Sequence, residues 1–243
     1  MWTITKKEII SFFTNLGGFI VLGLFLLVLG LVLFFFPDFS ILSSNYASLE
    51  SMFFIAPAIF TFLIPAITMR SFAEENQTGT IELLTTKPIT DLNIILGKFL
   101  AGFFIVCIAL LPTLIYFFTV YQLGSPKGNL DIGGTMGSYI GLLFLSSAYV
   151  SIGLFASTLT NNQVVAFMIG AFICFGIHWF FYFVSKLPVF TGTVDYTIQK
   201  FGADFHYERM SKGLIDSRDV IYFLTVIIFF LILSQFSLQR HKK

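Results

Sequence analysis

The sequence predicts an all-α integral membrane protein that crosses a bilayer six times. Three observations lead there. The chain of 243 residues is 56% hydrophobic and only 11% charged, less than half the charged share, about a quarter, with which a soluble domain covers its surface. Its apolar residues gather into six runs of roughly the 20 residues that cross hydrocarbon at 1.5 Å per residue. Its charged residues collect between those runs. Phe alone supplies 33 residues, a load that lipid tolerates better than water. A formal net charge of +1 leaves no electrostatic footprint for a nucleic acid.

The elements follow in order. Residues 1–16 set Trp2, Ile9, Phe12 and Phe13 against Lys6, Lys7 and Glu8. This pattern predicts an amphipathic helix lying on the inner membrane surface with Trp2 at headgroup level, a frayed polar start being the alternative. It does not read as a cleaved signal peptide, because the apolar run after Lys6-Lys7 has span length. Span one is Gly17 to Phe36, span two Met52 to Met69 and span three Phe99 to Tyr121. Span four is Ser138 to Leu159, span five Val164 to Ser185 and span six Val220 to Phe236. The short polar link Thr160-Asn161-Asn162-Gln163 makes spans four and five a tight antiparallel hairpin. Two polar segments remain, 70–98 and 186–218. In the second, the spacing Ile198–Phe201–Phe205 suggests a short helix with an apolar face turned to lipid or to the bundle. No internal repeat is visible, which weakens an inverted-repeat carrier.

Orientation follows from the basic residues. With the N-terminus in the cytoplasm, the inside holds Lys6, Lys7, Arg70, Lys87, Lys98, Arg240, Lys242 and Lys243. The outside holds Lys127 and five more in the long, charge-balanced 186–218 segment, which informs the rule less. Both termini are therefore expected in the cytoplasm.

Several chemistries are excluded or weakened. The nearest approaches to a phosphate-binding loop, Gly97-Lys98-Phe99 and Lys212-Gly213, lack its Gly-Lys-Ser/Thr ending. The three histidines, His178, His206 and His241, are scattered, and Cys107 and Cys174 sit in apolar runs as free thiols with no metal-ligand spacing. Ser146, Ser147 or Ser151 with His178 would be a conceivable intramembrane hydrolase, but serines in membrane helices usually bond their own backbone. His178 is the one strongly polar ionisable side chain expected inside a span; a functional role, and membership of the outer aromatic belt beside Trp179 and Tyr182 or simple packing, both remain open. No carboxylate falls within any expected span, which argues against a proton-coupled carrier.

Packing signals are clearer. Ala166, Gly170 and Cys174 form a stripe of small residues on span five, Gly137 and Gly141 do so on span four, and Gly23 and Gly30 on span one. They serve either packing within the bundle or a dimer seam using spans one and five. Pro57 and Pro65 in span two and Pro112 in span three each remove a helical hydrogen bond and bend the helix, as hinge or as static kink.

The segment Arg70-Ser71-Phe72-Ala73-Glu74-Glu75-Asn76-Gln77-Thr78-Gly79-Thr80-Ile81-Glu82-Leu83-Leu84, followed by Pro88 and by Ile95-Leu96-Gly97-Lys98, resembles the first cytoplasmic loop of type-2 ABC exporter permeases. The six-span plan, the amphipathic start, the long outer segment and Lys212-Gly213-Leu214-Ile215-Asp216-Ser217-Arg218-Asp219 before the last span are similar too. Within that family the Phe-rich spans most resemble its gliding-motility-associated members. The resemblance implies a single transmembrane permease domain over 1–243 in a bacterial inner membrane. It implies that Glu74, Glu75, Gly79, Thr80, Glu82, Leu83 and Leu84 dock a helix on a separate ABC ATPase, with Gly79 ending one helical segment and Thr80 capping the next. ATP and Mg would sit on that ATPase and none on this chain. A second permease, identical or larger with an extracytoplasmic domain, would complete the complex. A stand-alone carrier or channel uncoupled from ATP is the alternative, and a complex that spends ATP on assembly or mechanical work is a third.

Overall fold

A computed structural model describes residues 1–41, 47–80, 90–190, 192 and 194–241. Among the described residues every regular element is helical. Helix α1 (Trp2–Thr14) leads into α2 (Leu16–Phe35), capped by the Asn15 side chain, which accepts from the Gly17 N–H at 3.0 Å. Then come α3 (Glu50–Thr68) and α4 (Arg70–Gln77), α5 (Asp91–Leu110), a 3-10 turn (Leu111–Thr113) and α6 (Leu114–Leu123). Next are α7 (Ile132–Thr158), α8 (Gln163–Phe175), a π-helical turn (Gly176–Phe180) and α9 (Phe181–Ser185). Helices α10 (Asp195–Gln199), α11 (Ala203–Ser211) and α12 (Ser217–His241) complete the chain. Six stretches are long and apolar enough to span a bilayer.

Helix α7 is the hub. Of its spanning window 78% is buried, against 22% for α2 and for α12, and α3, α5, α8, α11 and α12 all pack on it. Its small residues permit this. A Cβ on Gly137 would collide with the Met210 carbonyl and lie 2.8 Å from the Gly213 Cα, so the α11–α12 connection can rest directly on α7. Its serines bond their own helix: Ser146 and Ser147 donate to the Leu143 carbonyl at 2.9 and 2.7 Å, and Ser151 donates to Ala148 at 2.7 Å. Those hydroxyls are satisfied as structural groups. The outer faces of α2 (Leu24, Leu27, Leu31), α8 (Val164, Met168, Phe172) and α12 (Ile221, Ile228, Ile232) are exposed and apolar, as lipid-facing surfaces should be.

Several span limits differ from the sequence reading; span four begins at Ile132 rather than Ser138, because the Asp131 carboxylate accepts from the Gly134 N–H at 3.0 Å and caps the helix there. Span two does not end at Met69. That residue keeps helical dihedrals and its N–H donates to the Pro65 carbonyl at 2.8 Å, so helix continues through Gln77. The 28 residues of α3 and α4 together reach about 40 Å, longer than the ~30 Å of hydrocarbon, and α4 projects beyond it. Span three begins at Asp91 rather than Phe99, because the Thr90 hydroxyl caps the Asn93 N–H. Span six begins at Ser217 rather than Val220, which brings Asp219 inside it.

The prolines behave differently from one another. Helix α3 runs through Pro57 and Pro65 without interruption, with Thr61 donating to the Pro57 carbonyl at 3.0 Å. Pro112 converts one turn of span three to 3-10 geometry.

Candidate functional site

Lys98 lies in the first turns of α5, and only 2% of it is exposed. Its Nζ donates to Glu8 Oε1 of α1 at 3.0 Å and to the Ser71 carbonyl of α4 at 2.6 Å. It stands 3.0 Å from Glu75 Oε2 and 4.9 Å from the centre of the Phe72 ring, both on α4. An ammonium has three N–H donors, and here three oxygens surround it. Lys7 closes the cluster from the solvent side, with its Nζ 3.6 Å from Glu75 Oε1 and 4.0 Å from Glu8 Oε1. Two cations and two carboxylates thus alternate across α1, α4 and α5.

The preceding residue makes the meeting possible. A Cβ on Gly97 would lie 3.0 Å from Ile4 Cβ and 3.2 Å from the Met1 carbonyl. Only a bare backbone lets α1 cross α5 so closely, and Thr5 uses the approach to donate to the Gly97 carbonyl at 3.0 Å. The Gly97-Lys98 pair, too short for a phosphate loop, is a helix crossing followed by an ion-pair hub. Helix α1 is therefore fastened to the bundle, with Trp2 exposed and edge-on to Phe104.

A cleft of about 520 Å³ opens beside the cluster between α1, the start of α2, the α3–α4 junction and α5. Arg70, Glu74, Glu75, Thr78 and Lys98 line it together with the apolar Val21 and Ile105. Helix α4 presents Glu74 to solvent and turns Glu75 inward to Lys98. Thr78 follows α4 and donates to the Glu74 carbonyl at 2.8 Å, and Gly79 then adopts φ +70°, a left-handed conformation that halts the helix. Thr80 is exposed, 3.0 Å from the Thr78 hydroxyl. The expected docking residues Glu82, Leu83 and Leu84 lie outside the described residues.

The small-residue stripe of span five faces inward. Gly170 sits against Pro65 of α3 and Ala156 of α7, and Ala166 and Cys174 are buried. Gly30 abuts the Tyr116 hydroxyl, whereas Gly23 has open space around it.

At the opposite end of the bundle, α11 bridges spans five and six. His206 Nδ1 lies 2.6 Å from Asp219 Oδ1, and its Nε2 lies 2.8 Å from the Lys200 carbonyl. Asp219 is fully buried and also meets Arg209 Nε at 3.7 Å. Tyr207 donates to the Phe53 carbonyl at 2.7 Å. The buried face of α11 is Ala203, His206, Tyr207 and Met210; Ile198, Phe201 and Phe205 do not share one short helix, since Ile198 lies in α10, Phe201, which is exposed, in the turn after it and Phe205 in α11. His178 is 3% exposed and points at Asp204 of α11, so it belongs to the bundle interior rather than to a belt. Two polar anchors were thus missed in the sequence, Glu8 and Asp219. Asp219 stands one residue before the apolar run, and only the helix start reveals it as intramembrane. Nothing in the spacing pairs Glu8 with a residue ninety positions on.

The fold defines the class: a multi-pass, α-helical integral membrane protein whose termini-side end carries a projecting, charge-clamped helix. Within that class the chain belongs to the ABC-2 family of transporter proteins, whose model matches residues 2–200. Members of that family are membrane subunits of ABC transporters and not themselves catalysts. The matched region holds α1, α4 and α5 in full, and α11 and α12 lie beyond it. Comparison with curated proteins gives no match.

Proposed function

We propose that this chain is the export permease of a complex driven by a separate ABC ATPase, which docks on α4 and on residues 79–84 at the cytoplasmic face. One observation carries the reading. Lys98 joins α4 to α1 and α5, so a force applied to α4 is delivered to two further elements at once. Closure of an ATP-loaded ATPase dimer would move α4, and the shared cation would make α1 and span three follow. The inward and outward states then differ in free energy by whatever the ATPase contacts supply to one and not the other. Glu74 and Thr80 form the free rim of the contact and Glu75 anchors it from behind. ATP and Mg belong to the ATPase.

A second permease completes the complex in this reading, either a second copy or a larger chain with an extracytoplasmic domain. Both termini are cytoplasmic, in a bacterial inner membrane. The Phe-rich spans resemble those of the gliding-motility permease GldF, and that resemblance supports service in gliding motility or secretion.

The test is co-purification from membranes with an ABC ATPase encoded beside the gene. Wild type should retain the ATPase, and Glu82→Ala with Leu83→Ala should lose most of it while remaining folded. Wild type that retains no ATPase, or a double variant with unchanged docking and ATP turnover, overturns the proposal.

A further inference from the structure

Helix α11 is held at its two sides by histidine–carboxylate pairs of unequal quality. On the span-six side, His206 offers both ring nitrogens to oxygen acceptors at 2.6 and 2.8 Å. It also stacks on Tyr222, with centroids 4.0 Å apart at 21°. This pair is buried with both imidazole nitrogens engaged, although Asp219 Oδ2 has no hydrogen bond among the described residues and only the 3.7 Å ion-pair approach of Arg209 Nε. On the span-five side, His178 Nε2 reaches only to 3.6 Å of Asp204 Oδ1, and Nδ1 has no hydrogen-bond partner among the described residues. His178 sits within the π-helical turn Gly176–Phe180, a local rewinding that is common at functional positions. Gly202 lets the α11 entrance rest on that turn: a Cβ there would lie 3.3 Å from Phe181 Cβ and 3.6 Å from the His178 carbonyl.

We infer that the His178–Asp204 contact is a proton-dependent latch between span five and α11, on the face opposite the termini, and that His206–Asp219 is its fixed hinge. The inference is independent of ATPase docking. The groups facing the latch are few. Helix α7 contributes Tyr149, whose ring centre is 6.3 Å from that of His178, and α8 contributes Cys174. Helix α11 contributes Asp204, Tyr207 and Glu208, and α12 contributes Tyr222. Among the described residues the other carboxylate near the latch is Glu208, whose Oε1 accepts from Lys212 Nζ at 2.6 Å.

The sign of the dependence follows from Asp204. Loss of water on docking, and then the nearby Glu208 charge, push its carboxyl from 3.8 up to about 6. A released Asp204, back in water, would return to the lower value. The latched state therefore binds more protons in this range, so latching strengthens as pH falls towards 5 and weakens as pH rises through about 6. When protonated, the Asp204 O–H can donate to His178 Nε2 with no charge left in the low-dielectric contact. When ionised, the carboxylate is drawn back to solvent.

Trp179 reports on the latch, since its ring meets that of His178 edge-on at 4.4 Å. The chain has two tryptophans, so the full chain carrying Trp2→Phe, in lipid nanodiscs, has Trp179 alone. Its emission should titrate with a midpoint near 6. Asp204→Asn in that background should abolish the transition, and Glu208→Gln should move it to lower pH. Backbone amides of α11's first turn and of the π turn should exchange several-fold more slowly at pH 5 than at pH 7.5, after correction for intrinsic exchange chemistry. A flat emission profile, a transition that persists in Asp204→Asn, or equal protection at the two pH values each overturns the inference; the wild-type exchange result stands even if a variant fails to fold.

Discussion

At the end of the bundle that carries the termini, one lysine joins three elements through carboxylates. At the other end, two histidines join α11 to spans five and six through carboxylates. Both arrangements bury charge, but they spend it differently. Lys98 is surrounded by oxygens from α1 and α4, and its cluster can change only by moving those helices together. At the far end the proposed latch responds to a proton on Asp204, whose carboxyl is pushed up to about 6 by loss of water, so that contact can be altered without moving the Lys98 cluster. On the two proposals above, the α4 end transmits force rigidly and the α11 end closes adjustably.

The largest expected effect tests the rigid end. Lys98→Ala leaves Glu8 and Glu75 with only the solvent-exposed Lys7 for a cation, and breaking a buried pair from one side costs about 3–5 kcal/mol. Thermal unfolding in nanodiscs should show it, and Lys98→Met combined with Glu8→Gln and Glu75→Gln should restore most of the loss. A silent Lys98→Ala would break the comparison. Asp219→Ala, at the other end, strands His206 and Arg209 but leaves Arg209 its contact with Asp216 at 3.1 Å. We expect about 2 kcal/mol, within the range for hydrogen bonds to charged groups, read by the same unfolding assay. Gly97→Val forces a branched side chain into the α1–α5 crossing and should cost about 1–2 kcal/mol. It should also raise proteolytic cleavage within residues 2–14. Tyr207→Phe removes one hydrogen bond from α11 to α3 and should cost about 1 kcal/mol, with the Trp179 pH transition retained.

The same contrast explains what could be read from the chain. Apolar run length places all six spans, because lipid imposes a length that water does not. The ends escape that logic. Helix α3 runs on into α4 because nothing between Arg70 and Gln77 stops it, and hydropathy sees only the loss of apolar residues there. Asp219 falls between the polar segment and the apolar run for the same reason, and its burial inside the last helix is invisible to hydropathy. The motif from Arg70 to Gly79 draws attention to α4 and to Glu75. It could not disclose that Glu75 faces inward to Lys98 while Glu74 faces out, since the two are neighbours differing only by about 100° around a helix. For His178, beside Trp179 and Tyr182, the sequence leaves function and belt or packing undivided, and the π turn that brings it to Asp204 leaves no trace in composition.

That inward–outward division also supplies the most direct test of the central claim. A photocrosslinking residue placed at Glu74 should capture the ABC ATPase in membranes, and one placed at Phe201, exposed on the opposite face, should not. Capture from Glu74 alone is the predicted result. Absence of an ATPase adduct at Glu74, or an adduct formed from Phe201, would contradict a coupling role for α4.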